Sequence, residues 1–242
     1  MDLQKLLPQE DFIFLADQAR FPYGEKSKSQ LCEFTRNIAN FFIQKKVKLI
    51  VVACNTASCY AIDFLRDNFD VPFVGTVPAV KSAAERTIKK RIGIMSTSAT
   101  SKSSYMADLI DSHARDIKVI NIGCAGLENA VEKGEIDSSK TGLLLKRYLE
   151  PIKRAGADVL ILGCTHYPFL KPNIRKNLGK SVKIVDSGKA IARRTAYLLK
   201  ESTSLNSRDG KLTYFTTSDS EEFSRVASVL MKKEIIAKKI TL

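Results

Sequence analysis

Two strand-like runs in this chain each end in a cysteine held in a small polar turn. Leu49-Ile50-Val51-Val52-Ala53 leads into Cys54-Asn55-Thr56, and Val159-Leu160-Ile161-Leu162-Gly163 leads into Cys164-Thr165-His166. An unbroken apolar run of this length reads as a parallel strand buried on both faces. Open α/β sheets bind ligands just beyond the carboxyl ends of such strands. Two thiols at two matching strand ends therefore suggest a cleft with one sulfur on each wall. That arrangement suits removal of a proton from one face of a carbon and delivery to the other.

The rest of the chain fits such a fold. Short β-like runs are expected at Phe12–Leu15, Leu49–Ala53, Phe73–Gly75, Ile92–Met95, Val119–Ile122, Val159–Leu162, Val182–Val185 and Leu212–Phe215. Helical patterns lie between them, at Lys28–Lys45, Ala57–Asn68, Ala79–Lys89, Lys102–Ala114, Gly126–Lys133, Lys140–Ala155, Leu170–Leu178, Lys189–Leu199 and Glu221–Lys232. The alternation predicts parallel sheets covered by helices on both faces. Ser202–Asp209 reads as a polar loop. No apolar stretch approaches the roughly 20 residues that span a bilayer, and the first residues carry no secretory pattern. Five cysteines without disulfide-framework spacing point to reduced thiols in a cytoplasmic setting.

The formal charge of +13 raises the question of a nucleic-acid partner. The basic residues read instead as scattered helix-face pairs, Lys45-Lys46, Lys89-Lys90-Arg91, Lys232-Lys233 and Lys238-Lys239, with acids between them. No nucleic-acid motif accompanies them, so no specific nucleic-acid binding is expected. The charge favours small anions.

Most strand ends carry small hydroxyl, amide or thiol residues: Ser96-Thr97-Ser98-Ala99-Thr100, Gly123-Cys124-Ala125-Gly126 and Asp186-Ser187-Gly188 join the two cysteine turns. Such loops offer N–H groups and hydroxyls to a carboxylate. Cys54 and Cys164 read as catalytic thiols, each expected to precede a helix N-terminus that lowers its pKa. Burial as structural cysteines is the alternative, and is the expectation for Cys32, Cys59 and Cys124. A metal held by Cys54, Cys59, Cys164 and His166 is a further alternative, but Cys164-x-His166 is too cramped for a structural zinc pair. His166, two positions after Cys164, can polarise the thiol or donate to a developing carbanion. A merely hydrogen-bonded loop histidine is the other reading. His113 is expected to be exposed.

VVACNTAS, LILGCTHYPFL, the turn ADQARFPYG, the segment IGIMSTSATSKSSY and the late YFTTSDSEEF together resemble the glutamate racemases of the aspartate/glutamate racemase superfamily. The motifs come in the family's order and spacing and cover essentially the whole chain. The resemblance implies two similar α/β domains with parallel-rich sheets and an active site in the cleft between them. The expected domains are residues 1–77 with 187–242, and residues 78–186.

The resemblance also implies a racemase that needs no cofactor and no metal. Cys54 would remove the α-proton of D-glutamate and Cys164 that of L-glutamate, each returning a proton from the opposite face. Asn55, Thr56, Thr97, Thr100 and Thr165 would contact the substrate's carboxylate and ammonium groups. Tyr23 and Gly24 match a substrate loop, His166 the residue beside the second cysteine, and Glu132 an assisting acid near that half-site. The product D-glutamate would supply peptidoglycan. A homodimer is expected, and the charge is compatible with DNA gyrase as a protein partner. The alternatives are a racemase of aspartate or another amino acid, and a non-catalytic truncated homologue or regulatory binder.

One departure stands out. The family opens with a strand leading to Asp-Ser-Gly, which would assist the first cysteine and bind substrate, and the chain as given begins after it. Asp186-Ser187-Gly188 matches a later family segment and does not take that role. The expectation is a reading frame that starts further upstream, or a damaged copy, with two strands of the first domain left without a central neighbour.

Overall fold

The computed structural model describes residues 2–202, 205–206 and 208–242. Among these, nine strands run as β1 (Phe12–Ala16), β2 (Ile50–Val52), β3 (Phe73–Gly75), β4 (Arg91–Ser96), β5 (Lys118–Gly123), β6 (Val159–Gly163), β7 (Lys183–Val185), β8 (Leu212–Thr216) and β9 (Ala237–Lys239). Every strand pair formed among them is parallel, so the fold is α/β with parallel sheets. Within the polar stretch Ser202–Asp209, Thr203, Ser204 and Ser207 lie outside the described residues.

The chain divides into two units. One comprises Met1–Val52, Ala61–Gly75 and Gly188–Leu242; the other comprises Ala53–Tyr60 and Thr76–Ser187. The short Ala53–Tyr60 segment, which holds Cys54, thus belongs to the second unit.

In the second unit four strands lie in the order β5-β4-β6-β7. Ile92 and Ile94 of β4 pair with Val159 and Ile161 of β6, and all four side chains are fully buried. With Val80, Ala83, Met106 and Val185 they form one face of the core, as a period-two pattern demands. On the other face Gly93 lies under Ile152 of the helix Ser139–Arg154. A Cβ on Gly93 would sit 2.5 Å from the Ile152 Cγ2, so the helix approaches this closely only because the side chain is absent. The register sets Ser96 opposite both Gly123 and Gly163. The residues that follow, Thr97, Cys124 and Cys164, therefore emerge side by side at the carboxyl edge of the sheet.

In the first unit the described strands form two separate sheets, β1-β8-β9 and β2-β3. Their amino ends are tied by Glu10, whose buried carboxylate accepts from Lys48 at 2.9 Å, and by apolar packing of Leu7, Phe12 and Leu49. The helix Lys28–Gln44 begins with a reciprocal capping box between Ser27 and Gln30.

Several expected elements change. The helix expected over Ala79–Lys89 covers only Val80–Ala84. The Asp158 carboxylate accepts the Ile88 and Lys89 N–H groups and the Thr87 hydroxyl, so that segment's donors are turned away from a helix ladder. Lys89-Lys90-Arg91 is consequently a loop and strand start rather than a helix face, and Lys238-Lys239 lies in β9. Short helices at Asp2–Leu6 and Ser98–Lys102, and β9 itself, appear without having been expected.

Candidate active site

Cys54 occupies the position just before the helix Asn55–Asn68. Its sulfur accepts the Ala57 N–H at 3.5 Å, the bond an N-cap side chain makes. Burial is the largest influence on this thiol and raises it; the Ala57 and Thr56 N–H groups pull it down; the nearby Cys164 and Cys59 raise it again. The balance stands at about 11. The helix N-terminus does act on Cys54 as expected, but withdrawal from water outweighs it, and the thiol rests protonated. Cys59 is likewise raised to about 11, mainly by burial.

Cys164 follows β6 and is 6% exposed. It does not cap an α-helix, contrary to expectation. The Tyr167 N–H donates to the Cys164 carbonyl at 3.1 Å, closing a tight turn that passes into the 3-10 turn Tyr167–Leu170. Two prolines, Pro168 and Pro172, shape this stretch, and the α-helix begins only at Lys171.

The turn brings His166 back onto the thiol. Its Nδ1 lies 3.7 Å from the Cys164 sulfur, and its Nε2 lies 2.7 Å from Oε1 of Glu132. Burial by itself would push the imidazole down, but the thiol and the carboxylate at its two ring nitrogens outweigh burial and hold it at about 10. With the ring protonated, Nδ1 donates toward the sulfur and Nε2 to Glu132. Glu132 is the final residue of the helix Leu127–Glu132. His166 is thus the middle of a chain from carboxylate to imidazolium to sulfur, more than a loop histidine.

Three buried hydroxyls gather at the Cys54 loop. Thr56 lies 2.8 Å from Thr97 and 3.0 Å from Thr100, and Thr97 donates to Thr100 at 3.0 Å. Thr97 also accepts the Thr100 N–H, which starts the helix Ser98–Lys102. Asn55 is 3% exposed, and its side-chain carbonyl has no hydrogen-bond partner among the described residues. A buried acceptor left open beside Cys54 is a place for a ligand N–H. The Thr165 hydroxyl donates to the Ala53 carbonyl at 3.1 Å, joining the two thiol loops.

Nine of the expected site residues, Cys54, Asn55, Thr56, Thr97, Thr100, Glu132, Cys164, Thr165 and His166, thus fall in the second unit. Tyr23 and Gly24 belong to the first unit, in a 3-10 turn after the cis Phe21-Pro22 bond. There the Tyr23 hydroxyl donates to Asp17 at 2.6 Å, and Asp17 also accepts from Arg20 and Thr217. All five cysteines are free; Cys124 is fully buried as expected, whereas Cys32 and Cys59 are only half-buried. Among the described residues no group of three or more His, Cys, Asp or Glu side chains is placed to hold a metal ion, and no helix is long and apolar enough to cross a membrane. Sequence reading did not single out Tyr167, whose hydroxyl reaches a backbone carbonyl, a partner that no spacing rule reveals.

Residues 3–195 match the family described as Asp/Glu/Hydantoin racemase. The chain belongs to this family. A glutamate racemase of Herpetosiphon aurantiacus is 39% identical over 231 residues, which cover 95% of this chain and 91% of that protein. The crystal structure of a glutamate racemase isoform from Bacillus anthracis superposes with a TM-score of 0.91 at 29% identity, covering 100% of this chain and 91% of the other. Escherichia coli glutamate racemase, in complex with L-glutamate and the activator UDP-MurNAc-Ala, gives a TM-score of 0.87 at 34% identity, with 99% and 92% covered.

Proposed function

We propose that this chain interconverts L- and D-glutamate with two cysteines, supplying D-glutamate for peptidoglycan. The observation that carries the reading is the pair of thiol loops joined by the Thr165–Ala53 hydrogen bond, with a trio of hydroxyls and an open amide acceptor at the Cys54 loop. Membership of the racemase family and the likeness to glutamate racemases support glutamate as the substrate.

With L-glutamate, the Cys164 sulfur as thiolate takes the α-hydrogen as a proton. The electron pair stays on the α-carbon and spreads into the carboxylate. Cys54, resting as a thiol, then gives its proton to the opposite face, and D-glutamate results. Cys54 ends as thiolate and Cys164 as thiol, the state that begins the reverse reaction from D-glutamate. Neither redox change nor any loss of atoms is involved. The imidazolium of His166 supports negative charge on the Cys164 sulfur, and Glu132 keeps the ring protonated and oriented. Asn55 accepts from the substrate ammonium, while Thr56, Thr97, Thr100 and Thr165 hold the carboxylate and ammonium groups.

The test is circular dichroism of purified protein with L- or D-glutamate, run in parallel in heavy water. Both enantiomers should converge on a racemic mixture and acquire α-deuterium. Turnover of aspartate with none of glutamate would overturn the substrate assignment.

A further inference from the structure

We propose that Tyr167 is a positioning residue of this reaction, whose hydroxyl, through the Cys124 carbonyl, sets the alignment of Glu132, His166 and Cys164. The inference rests on the two-cysteine reading and concerns how its second half-site is held together.

Tyr167 is the residue after His166, and its side chain is 0% exposed. Its hydroxyl and its N–H both bond to backbone carbonyls, so its effect on the thiol and the imidazole runs through the backbone. Two of its hydrogen bonds tie it to neighbouring segments. Its N–H donates to the Cys164 carbonyl at 3.1 Å, fixing the turn that bears the thiol and the imidazole. Its hydroxyl donates to the Cys124 carbonyl at 3.0 Å. Cys124 is in turn pinned, its N–H donating to the Ser96 carbonyl at 2.7 Å.

From Cys124 the chain passes through Gly126, at a left-handed φ of 86°, into the helix that ends in Glu132. Two hydrogen bonds therefore join the turn after β6 to the segment after β5: Tyr167 to Cys124, and His166 to Glu132. The first lies in the interior and involves no group that must change state during turnover. The second includes the imidazole that works on the thiol. The buried bond acts as the fixed point from which the working bond takes its length. Burial first, and then the neighbouring Cys164 and Cys124, raise the Tyr167 phenol well above its ordinary value, so the hydroxyl keeps its proton and donates throughout the working pH range.

A residue that merely filled the core would act through its ring. Tyr167→Phe keeps the ring and removes the donor, so it separates the two roles. In the full chain this variant should lose about tenfold in kcat with KM within about twofold, while its melting temperature stays above the assay temperature. In a Glu132→Gln background the same change should cost less than about twofold, because the alignment it serves is already gone.

A second measurement needs no turnover. Iodoacetamide labelling of Cys164 at neutral pH, read by peptide mass, should slow about fivefold in Tyr167→Phe, with Cys54 labelling unchanged. Penalties that multiply in the double variant overturn the proposal, as does Cys164 labelling at the parent rate. Should the parent fail to turn over glutamate, the proposed function falls, and labelling alone decides whether Tyr167 positions the thiol. A Tyr167→Phe protein unfolded at the assay temperature, with folded Tyr167→Leu labelling Cys164 at the parent rate, likewise overturns it.

Discussion

The hydroxyl of Thr165 donates to the carbonyl of Ala53, 3.1 Å away and 112 residues earlier in the chain. Thr165 directly follows Cys164, and Ala53 directly precedes Cys54. The spacing of the two sulfurs thus depends in part on one side-chain bond. Removing it with Thr165→Val should cost stability only about 1 kcal/mol, the usual net value of such a bond. Activity should suffer more, by about tenfold or greater, since an ångström of misplacement at a reacting pair is expensive. Thr165→Ser should restore most of the loss. Initial rates from both enantiomers and thermal melts of the three proteins check this.

The thiols themselves give a sharper outcome. Cys54→Ser and Cys164→Ser should each remove measurable racemisation, because the proposed cycle uses one sulfur as base and the other as acid. The fold should survive, as serine is smaller and both sites lie at loop ends. Cys164→Ser racemising glutamate at the parent rate would end the two-base account.

The Glu132–His166–Cys164 chain predicts a pH dependence of stability. His166 is raised from 6.5 to about 10 in the folded protein. A raised basic group contributes stability that is fully present below the unfolded value near 6.5. That stability is then lost progressively as pH rises toward about 10. Cys54, raised from 9.0 to about 11, adds a second loss in the same direction above pH 9, where the unfolded thiol ionises and the folded one does not. Melting temperature should therefore decline from neutral to alkaline pH. Glu132→Gln should flatten the first part of the decline by removing one of the groups that hold the imidazole up. A parent curve with no alkaline slope would refute the assignment.

Much of this arrangement was legible in the chain because it is local. Val159–Leu162 and Ile50–Val52 are short apolar runs, and a cysteine two positions beyond each lies at a strand end. The residues that escaped notice depend on distant partners. The segment after Ala84 has the composition of a helix, but a carboxylate at Asp158, some seventy positions on, takes its N–H groups. Lys238-Lys239 reads as a helix-face pair, whereas Ala237–Lys239 pairs as a strand with Tyr214–Thr216. The state of the Cys54 thiol was misjudged for a related reason. A helix N-terminus can be read from spacing, whereas the burial that overrides it is a property of the packed fold. Family resemblance put Glu132 near the second half-site, but its bond to His166, thirty-four positions away, shows only in the fold.

Asp158 offers a test of the scaffold apart from the chemistry. It stands before β6, at the amino end of the strand whose carboxyl end delivers Cys164. Its carboxylate accepts from the Thr87 hydroxyl at 2.5 Å, the Ile88 N–H at 2.7 Å and the Lys89 N–H at 3.0 Å. Partial burial tends to raise this group, but the three donors outweigh it and hold the carboxyl below its ordinary 3.8. A depressed acid contributes stability that is present above the unfolded value and lost as pH falls through the folded one. Asp158→Asn keeps one acceptor oxygen and replaces the other with a donor that faces existing donors. The expected cost is about 1–3 kcal/mol at neutral pH. The gap between parent and variant should narrow as pH drops below 3.8, where the parent loses the same interaction. Turnover should stay within about twofold, because a strand of this length places Asp158 roughly 17 Å from the thiol end. Urea melts at pH 7 and near pH 3, with glutamate turnover measured at pH 7, decide the matter. A variant as stable as the parent at neutral pH would show that the loop before β4 holds its shape without this carboxylate.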